Sequence, residues 1–401
     1  MSTMIDDPRL ITEEAKSKGL RGRLTRLNFG SLTVLIGLAI IWIIFQILNK
    51  NFLTPVNLTN LILQAAGMGI ISVGITLVLL IGEIDLSAGS VSGLGAAVMA
   101  VLNVKMGVSG PVAILAGLAT GAVIGLAQGL WITRLRVPSF IVTLAGFLGW
   151  QGALLLVLGE TGTVNLRNPF ILGVAGVFFP SIVGWVLGII FVLIYLLSAL
   201  LDRRQRAAAG LQTASMGSIL LRVLVIAIAV LGAVAVFNAD RGLPLAVVIF
   251  VGIVIIFDLI VRRTTFGRHI FAVGGNAEAS RRATIRIDRV RVVVFTLCSM
   301  LAAAGGILRA SRLLAVNQSS GSGDLLLLSI AAAVIGGTSL FGGRGTVWGA
   351  LLGALVIQSI SNGMDLLALA SPIKFMVTGG VLLLAVTIDA LARSRREATG
   401  R

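Results

Sequence analysis

Apolar stretches of spanning length recur along nearly the whole of this chain, and that repetition narrows the available folds more than any single motif. Runs bounded by charges, prolines and polar clusters place spans near 31–48, 57–80, 87–104, 110–131, 139–158, 180–201, 219–237, 243–261, 292–308, 324–340, 345–363 and 372–390. A helix needs roughly 17–25 apolar residues to cross ~30 Å of hydrocarbon. A closed transmembrane barrel would instead alternate in segments of about ten. With 57% hydrophobic residues, 12% charged and a mean hydropathy of +1.04 over 401 residues, a water-soluble domain is excluded. The expected fold is all-α, a polytopic transmembrane helix bundle of about twelve spanning or partly spanning helices. It forms one membrane domain over 31–390, with cytoplasmic segments at 1–30 and 391–401. The joins at 81–86 and 341–344 are tight enough to be breaks inside the membrane rather than loops.

The formal charge of +16 could suggest nucleic acid, but the basic residues cluster in alternate loops, which is a topology signal. Starting inside, these spans put 25 of the 32 lysines and arginines on the cytoplasmic side and seven on the other. The positive-inside rule selects that orientation, with both termini cytoplasmic. The clusters are Arg21, Arg23 and Arg26; Arg134 and Arg136; Arg203, Arg204 and Arg206; the set from Arg262 to Arg291; and Arg393, Arg395 and Arg396. Most serve to anchor helices to anionic lipid. The first 30 residues are polar, and the run Ser31 to Leu48 continues at spanning length, so no cleavable signal peptide is expected. Cys298 is the single cysteine, which excludes an intramolecular disulfide.

The chain carries 49 glycines, most of them inside the apolar spans, where small residues let helix backbones approach closely in lipid. Two glycine-interrupted stretches echo each other. At a constant offset Gly82, Leu86, Gly89, Gly95 and Ala96 meet Gly336, Leu340, Gly343, Gly349 and Ala350. A possible internal repeat of this kind, with interrupted segments in both halves, points toward a transport pathway.

Catalysis is poorly provided for. His269 is the only histidine, Cys298 stands alone and the acids are scattered, so neither a metal site nor a nucleophile, base and acid set can be assembled. No Gly-x4-Gly-Lys-Ser/Thr run is present, so ATP hydrolysis through such a loop is not expected of this polypeptide. Glu83 and Asp85 lie in a glycine-rich break between apolar runs, where carboxylates are expensive unless they serve a path or pair with something. With Ser87 they are candidates for a translocation path, and capping of the next helix is the structural alternative. In the loop from Thr265 to Asp288, Gly267, Ala272, Gly274 and Asn276 lead into a short helical stretch, with Asn276 as N-cap and Glu278 in the first turn. Such a helix, with Arg281, Arg282 and Arg286 exposed, could dock into a cytoplasmic partner or lie on lipid. Asn317, Gln318, Ser319 and Asp324 fall in an outer loop.

That loop resembles the coupling segment of bacterial ABC-importer permeases for monosaccharides of the ribose, xylose and galactose type. Their pattern runs Gly-x4-Ala-x-Gly-x-Asn-x2-Ala and then a Ser/Ala-Gly-Ile turn. Gly267, Ala272, Gly274, Asn276, Ala279 and Ile285 fit it, and Thr284 stands where the family usually carries glycine. Because a β-branched residue tolerates positive φ poorly, the turn is expected to be reshaped. The similarity covers about 340 residues. It includes Asn51-Phe-Leu-Thr, Ile84-Asp-Leu-Ser, Pro138-Ser-Phe-Ile-Val-Thr-Leu and Gly336-Gly-Thr-Ser-Leu. The additional span pair near 180–237, with its basic linker, is similar to the xylose branch. What the resemblance implies is a non-enzymatic transport subunit in the bacterial inner membrane. Its implied partners are a second copy of itself, one or two ATPase subunits and a periplasmic or extracellular sugar-binding protein. The chain would hold no cofactor, ATP and Mg being bound by the ATPase. D-xylose is the favoured sugar, with ribose, galactose or another monosaccharide as alternatives. An ion-coupled secondary transporter is the rival class, and it would need buried titratable residues for which only Glu83, Asp85, Asp258 and Asp389 are placed.

Overall fold

A computed structural model describes residues 29–398. The expected segment 1–30, with Arg21, Arg23 and Arg26, lies almost wholly outside the described residues, as do the side chains of Asp389, Arg393, Arg395 and Arg396. Each of the twelve expected spans coincides with a helix. The chain runs through α1 (Phe29–Leu48), α2 (Pro55–Leu80), α3 (Ala88–Val104), α4 (Gly110–Arg134) and α5 (Ser139–Leu158). After β1 (Thr163–Asn165), α6 (Pro169–Gly176) and β2 (Phe178–Phe179) come α7 (Ser181–Ala208) and α8 (Met216–Asp240). Then follow β3 (Leu243–Pro244), α9 (Leu245–Arg263), α10 (Thr265–Gly275), α11 (Ala277–Arg282) and α12 (Ile287–Leu313). β4 (Ala315–Asn317), α13 (Gly323–Ile335), α14 (Val347–Leu366) and α15 (Ser371–Ala398) complete it.

Among the described residues, eight helices are long and apolar enough to cross a membrane: α2, α4, α5, α7, α8, α9, α12 and α14. α3 and α13 are shorter: at 17 and 13 residues they reach roughly 25 and 20 Å, which puts α3 at the lower limit of a crossing and α13 below it. The span expected at 324–340 therefore ends early, at Ile335, because Gly336 and Gly337 follow and Gly337 sits at φ +92°. The span expected at 292–308 is longer, since α12 starts at Ile287 and ends where Leu314 turns left-handed at φ 60°. Both tight joins are non-helical, over 81–87 and 336–346.

Burial separates the centre from the rim. In its most apolar stretch α2 is 89% buried, whereas α7 and α8 are each 11% buried and turn their apolar faces outward. α12 packs on α4, α2 and α3, while α14 packs on α2 and α13. Lipid offers no hydrophobic force between helices, so small residues and interhelical hydrogen bonds hold them. Gly125 of α4 is one such place, where a β-carbon would stand 2.7 Å from the Thr296 Cα. Gln358 of α14 donates to Gln64 of α2 at 2.5 Å, Asn57 donates to Asn362 at 2.9 Å and the Trp42 indole donates to Ser359 at 2.9 Å.

Two strand pairs, which the hydropathy pattern does not announce, clip the connections. β1 pairs antiparallel with β4, and β2 pairs antiparallel with β3, Phe179 facing Leu243. The second clip closes the neck of the α7–α8 hairpin, so the chain leaves the bundle and re-enters it at one point. The hairpin also touches the bundle through Phe191 against Trp348, and through Arg241, which donates to Asn60 at 3.2 Å and stacks over the Phe178 ring. Replacing 180–242 by a two-residue Asn-Gly turn should therefore leave a chain that still inserts and elutes as a monodisperse species in mild detergent. Loss of all folded material on size exclusion would show the hairpin to be integral.

Candidate functional site

Three glycine-containing segments meet at the arginine-rich end of the bundle. The first is the turn that ends α2. Gly82 takes φ +78°, and the Glu83 amide returns to the Val78 carbonyl at 3.2 Å. The second is the end of α10, and the third is the turn 339–345, where Gly342 and Gly343 take φ +85° and +72°. The Gly343 amide donates to the Leu80 carbonyl at 2.9 Å, which satisfies a carbonyl that the end of α2 leaves open. Gly274 lies directly over that bond. A β-carbon there would overlap the Leu80 carbonyl oxygen and stand 2.6 Å from the Gly343 nitrogen. The two stretches that echo each other in sequence thus touch in space, and α10 covers their junction.

The path by which α10 reaches this position is local. Thr264 caps it, its hydroxyl accepting from the Gly267 amide at 3.1 Å. Gly267 lets α10 turn directly off the end of α9, since a β-carbon there would stand 2.6 Å from the Ile260 carbonyl oxygen. Ile270 and Val273 are buried against the bundle, and Ala272 and His269 are half-buried. The residues from Thr265 to Gly275, read from sequence as a loop entering a helix, are therefore helical themselves. A face of Phe266, Ile270 and Val273 at spacings of four and three supplies the reason.

Asn276 breaks the two helices apart with an extended backbone and caps α11, its Oδ1 accepting from the Ala279 amide at 2.9 Å. Glu278 sits in the first turn, 3.6 Å from both Arg281 and Arg282. Asn276, Ala279, Arg281, Arg282, Thr284 and Arg286 are exposed, so the outward surface of this element is polar and basic. The end of α11 corrects an expectation. Thr284 stands at φ 60°, donating its amide to Arg281 at 3.1 Å, and the half-buried Ile285 donates to Ser280 at 3.1 Å. Those two bonds make the Schellman closure that glycine usually serves. The turn is not reshaped; threonine occupies the left-handed position. Because that conformation costs an L-residue roughly 1–2 kcal/mol, Thr284→Gly should tighten the turn. Amide exchange over 277–290 is expected to slow severalfold, and unchanged or faster exchange would argue against strain at this residue.

Protein partners take Glu83 and one oxygen of Asp85 in the first break, while the buried Asp85 Oδ2 has no hydrogen-bond partner among the described residues. Glu83 pairs with Arg291 of α12 at 2.7 Å and accepts from the Ser139 hydroxyl at the start of α5. It thereby ties the break to two further helices. Asp85, 2% exposed, accepts from the Ser87 amide at 2.8 Å and from its hydroxyl at 2.7 Å. Gln128 of α4 donates to the same hydroxyl at 3.0 Å. Glu83, Asp85 and Ser87 thus gather at the base of α3, none of them lining the polar cavity between α3 and α12. Asp258 pairs with Arg262 at 2.7 Å. No group of three or more His, Cys, Asp or Glu side chains that could hold a metal occurs among the described residues. Sequence reading missed Arg291 and Ser139 as partners of Glu83. The one available signal was their position in the loops on the same side as the break.

Many apolar helices around two touching breaks, with the surface helix α10 laid over their junction, make this a multi-pass membrane protein, and comparison with known proteins gives its class as a transport permease. The chain belongs to the family described as branched-chain amino acid transport system / permease component, which matches residues 57–386. It is 35% identical to the xylose transport system permease protein XylH of Haemophilus influenzae over 368 residues, 92% of this chain and 98% of that protein. The protein of the same name from Escherichia coli K12 is 36% identical over 344 residues, 86% of this chain and 87% of its own length. The ribose import permease protein RbsC of Bacillus subtilis is 31% identical over 378 residues, 93% of this chain and 98% of that protein. No solved structure matches.

Proposed function

We propose that this chain is the permease subunit of an ATP-driven monosaccharide importer, with D-xylose as its substrate. Two copies would form the sugar path in the bacterial inner membrane, with both termini and the α10–α11 element in the cytoplasm. The chain binds no cofactor of its own. ATP and Mg belong to one or two ATPase subunits that seat on α10 and α11, and a periplasmic or extracellular binding protein delivers the sugar from the opposite side.

One observation carries the reading: the surface helix α10 lies over the junction where the two membrane breaks touch, at Gly274, Leu80 and Gly343. A movement imposed on the exposed face of α10–α11 therefore reaches both halves of the bundle at one place. The two breaks lead into α3 and α14, so tilting the junction reorients helices on either side of a path. The relatives named for xylose transport support the choice of sugar.

The test is reconstitution with the cognate ATPase and binding protein in vesicles. ATP-dependent uptake of xylose, exceeding that of ribose and galactose, is expected. Uptake by the permease alone, driven by an ion gradient, would overturn the reading, and so would impermeant labelling of an Arg281→Cys variant from the outer side.

A further inference from the structure

Asp324 is an acidic side chain to which the junction gives no role. The hydropathy pattern puts it in an outer loop, but it occupies the first turn of α13, and α13 does not begin at the outer surface. A β-carbon on Gly323 would stand 3.8 Å from the Phe147 ring. Phe147 lies eight residues beyond Ser139 in α5, hence about 12 Å from one end of that helix and about 17 Å from the other. Two hydrogen bonds agree with this level. The Ser90 hydroxyl donates to the Phe147 carbonyl at 2.8 Å, and the Gln151 side-chain amide, one turn further from the basic end, donates to the Gln318 carbonyl at 2.9 Å. Residues 318–323 therefore descend along α5, and α13 starts near the middle of the hydrocarbon.

The face around Asp324 is open. Asp324 is exposed, and its carboxylate forms no hydrogen bond or ion pair among the described residues. α5 is only 17% buried in its apolar stretch, and nothing stands within 4 Å of a β-carbon on Gly149 or Gly152. α15, which packs on α13, leaves Phe375 and Met376 exposed. Gln318 is exposed as well, with its side chain laid over Gly162. The first turn of a helix favours a carboxylate through the helix dipole, but that gives no reason for one to stand exposed at this depth. Ionisable groups within membrane segments face a bundle interior or water rather than lipid. Asp324 is not inside its own bundle, so the water it requires lies between this face and a second body. Two copies of the chain, facing each other across α5, α13 and α15, enclose their carboxylates in one wet cleft.

We infer that Asp324 is a sugar-binding carboxylate at the midpoint of the path between the two copies, accepting hydrogen bonds from the hydroxyls of one neutral monosaccharide. An ionised carboxylate only accepts, its two oxygens match a pair of vicinal hydroxyls, and such charge-assisted bonds are stronger than neutral ones. Leu144 and Leu148, exposed on α5, offer apolar surface to the C–H faces of the ring. The inference rests on the reading of the chain as a monosaccharide permease acting in pairs, and assigns that path a wall and a residue. α13 runs from Asp324 to the break at Gly336, so movement of the junction beneath α10 is carried along one short helix to the binding group.

Two variants test it in the reconstituted importer. Asp324→Asn keeps the shape and removes the charge, and sugar moved per ATP hydrolysed should fall about tenfold, the equivalent of one lost charge-assisted hydrogen bond. Asp324→Cys reports location. The native Cys298 is buried, so a water-soluble maleimide should label position 324 alone, sugar should slow the labelling, and a short bifunctional maleimide should join the two copies. Wild-type transport per ATP by an assembled Asp324→Asn importer would overturn the assignment. So would an Asp324→Cys variant that reacts only with a lipid-soluble maleimide, labels equally fast with and without sugar, or gives no cross-linked pair. Failure of the unmodified importer to take up any monosaccharide would instead refute the functional reading beneath it. If Asp324→Asn does not assemble, the cysteine arm decides.

Discussion

Gly274→Ala should uncouple the importer while its neighbour Gly275→Ala leaves it close to wild type. The two glycines are adjacent, yet they face opposite environments. A methyl group at 274 meets the Leu80 carbonyl and the Gly343 amide, whereas nothing lies within 4 Å of a β-carbon at 275. Overpacking of a closed contact costs about 1–3 kcal/mol, and here the strain must be relieved by lifting α10 or by breaking the bond from Gly343 to Leu80. Either change detaches the surface helix from one or both breaks. Stimulation of ATP hydrolysis by sugar-loaded binding protein should fall roughly ten- to hundredfold in Gly274→Ala, the range those energies span, with complex formation retained on size exclusion. Equal behaviour of the two variants would show that close contact at the junction does not matter for coupling.

The pair Glu83 and Arg291 should carry the largest stability effect among the ionisable groups. The side chains are 14% and 29% exposed, and Glu83 also holds the Ser139 hydroxyl. Removing one partner of a buried pair leaves an uncompensated charge and costs about 3 kcal/mol. Arg291→Gln should therefore lower the thermal midpoint of the permease in detergent more than Glu83→Gln together with Arg291→Gln does. Exposed pairs such as Arg206 with Asp202 should contribute less than about 1 kcal/mol by the same measurement. Additive losses in the double-mutant cycle would mean that the two groups act independently.

The bundle was legible in the sequence because its determinant is crude: the length of an apolar run relative to the thickness of hydrocarbon. Twelve runs correspond to twelve helices for that reason. Their ends were less legible, since Gly336 and Gly337 stop α13 inside an apolar run where hydropathy alone sees no boundary. α10 was hidden by its own composition. Gly267, Gly274 and Gly275 lower helix propensity, and the buried face of Phe266, Ile270 and Val273 outweighs them only once the bundle is present. The capping role of Asn276 needed no such context, because N-cap chemistry is set within three residues. The left-handed Thr284 went the other way. Local preference argued against it, and the closing bonds of α11 with the burial of Ile285 prevail. The Glu83 and Arg291 pair, the meeting of Gly82 with Gly342, and the stem of Arg309 over Gly67 depend on packing between distant segments, which one sequence without tertiary contacts does not reveal.

The clip formed by Phe178 and Phe179 with Leu243 and Pro244 has a consequence for how chains of this kind change in length. Two crossings are grafted through a single doorway, so whatever follows enters the bilayer with the same polarity as it would without them. One insertion or deletion at that doorway could add or strip a pair of helices in a single genetic event and leave the drive train untouched. Size alone is then a poor guide to kinship in mechanism, and the graft is a natural attachment point for tags or fluorophores meant to report on a working transporter.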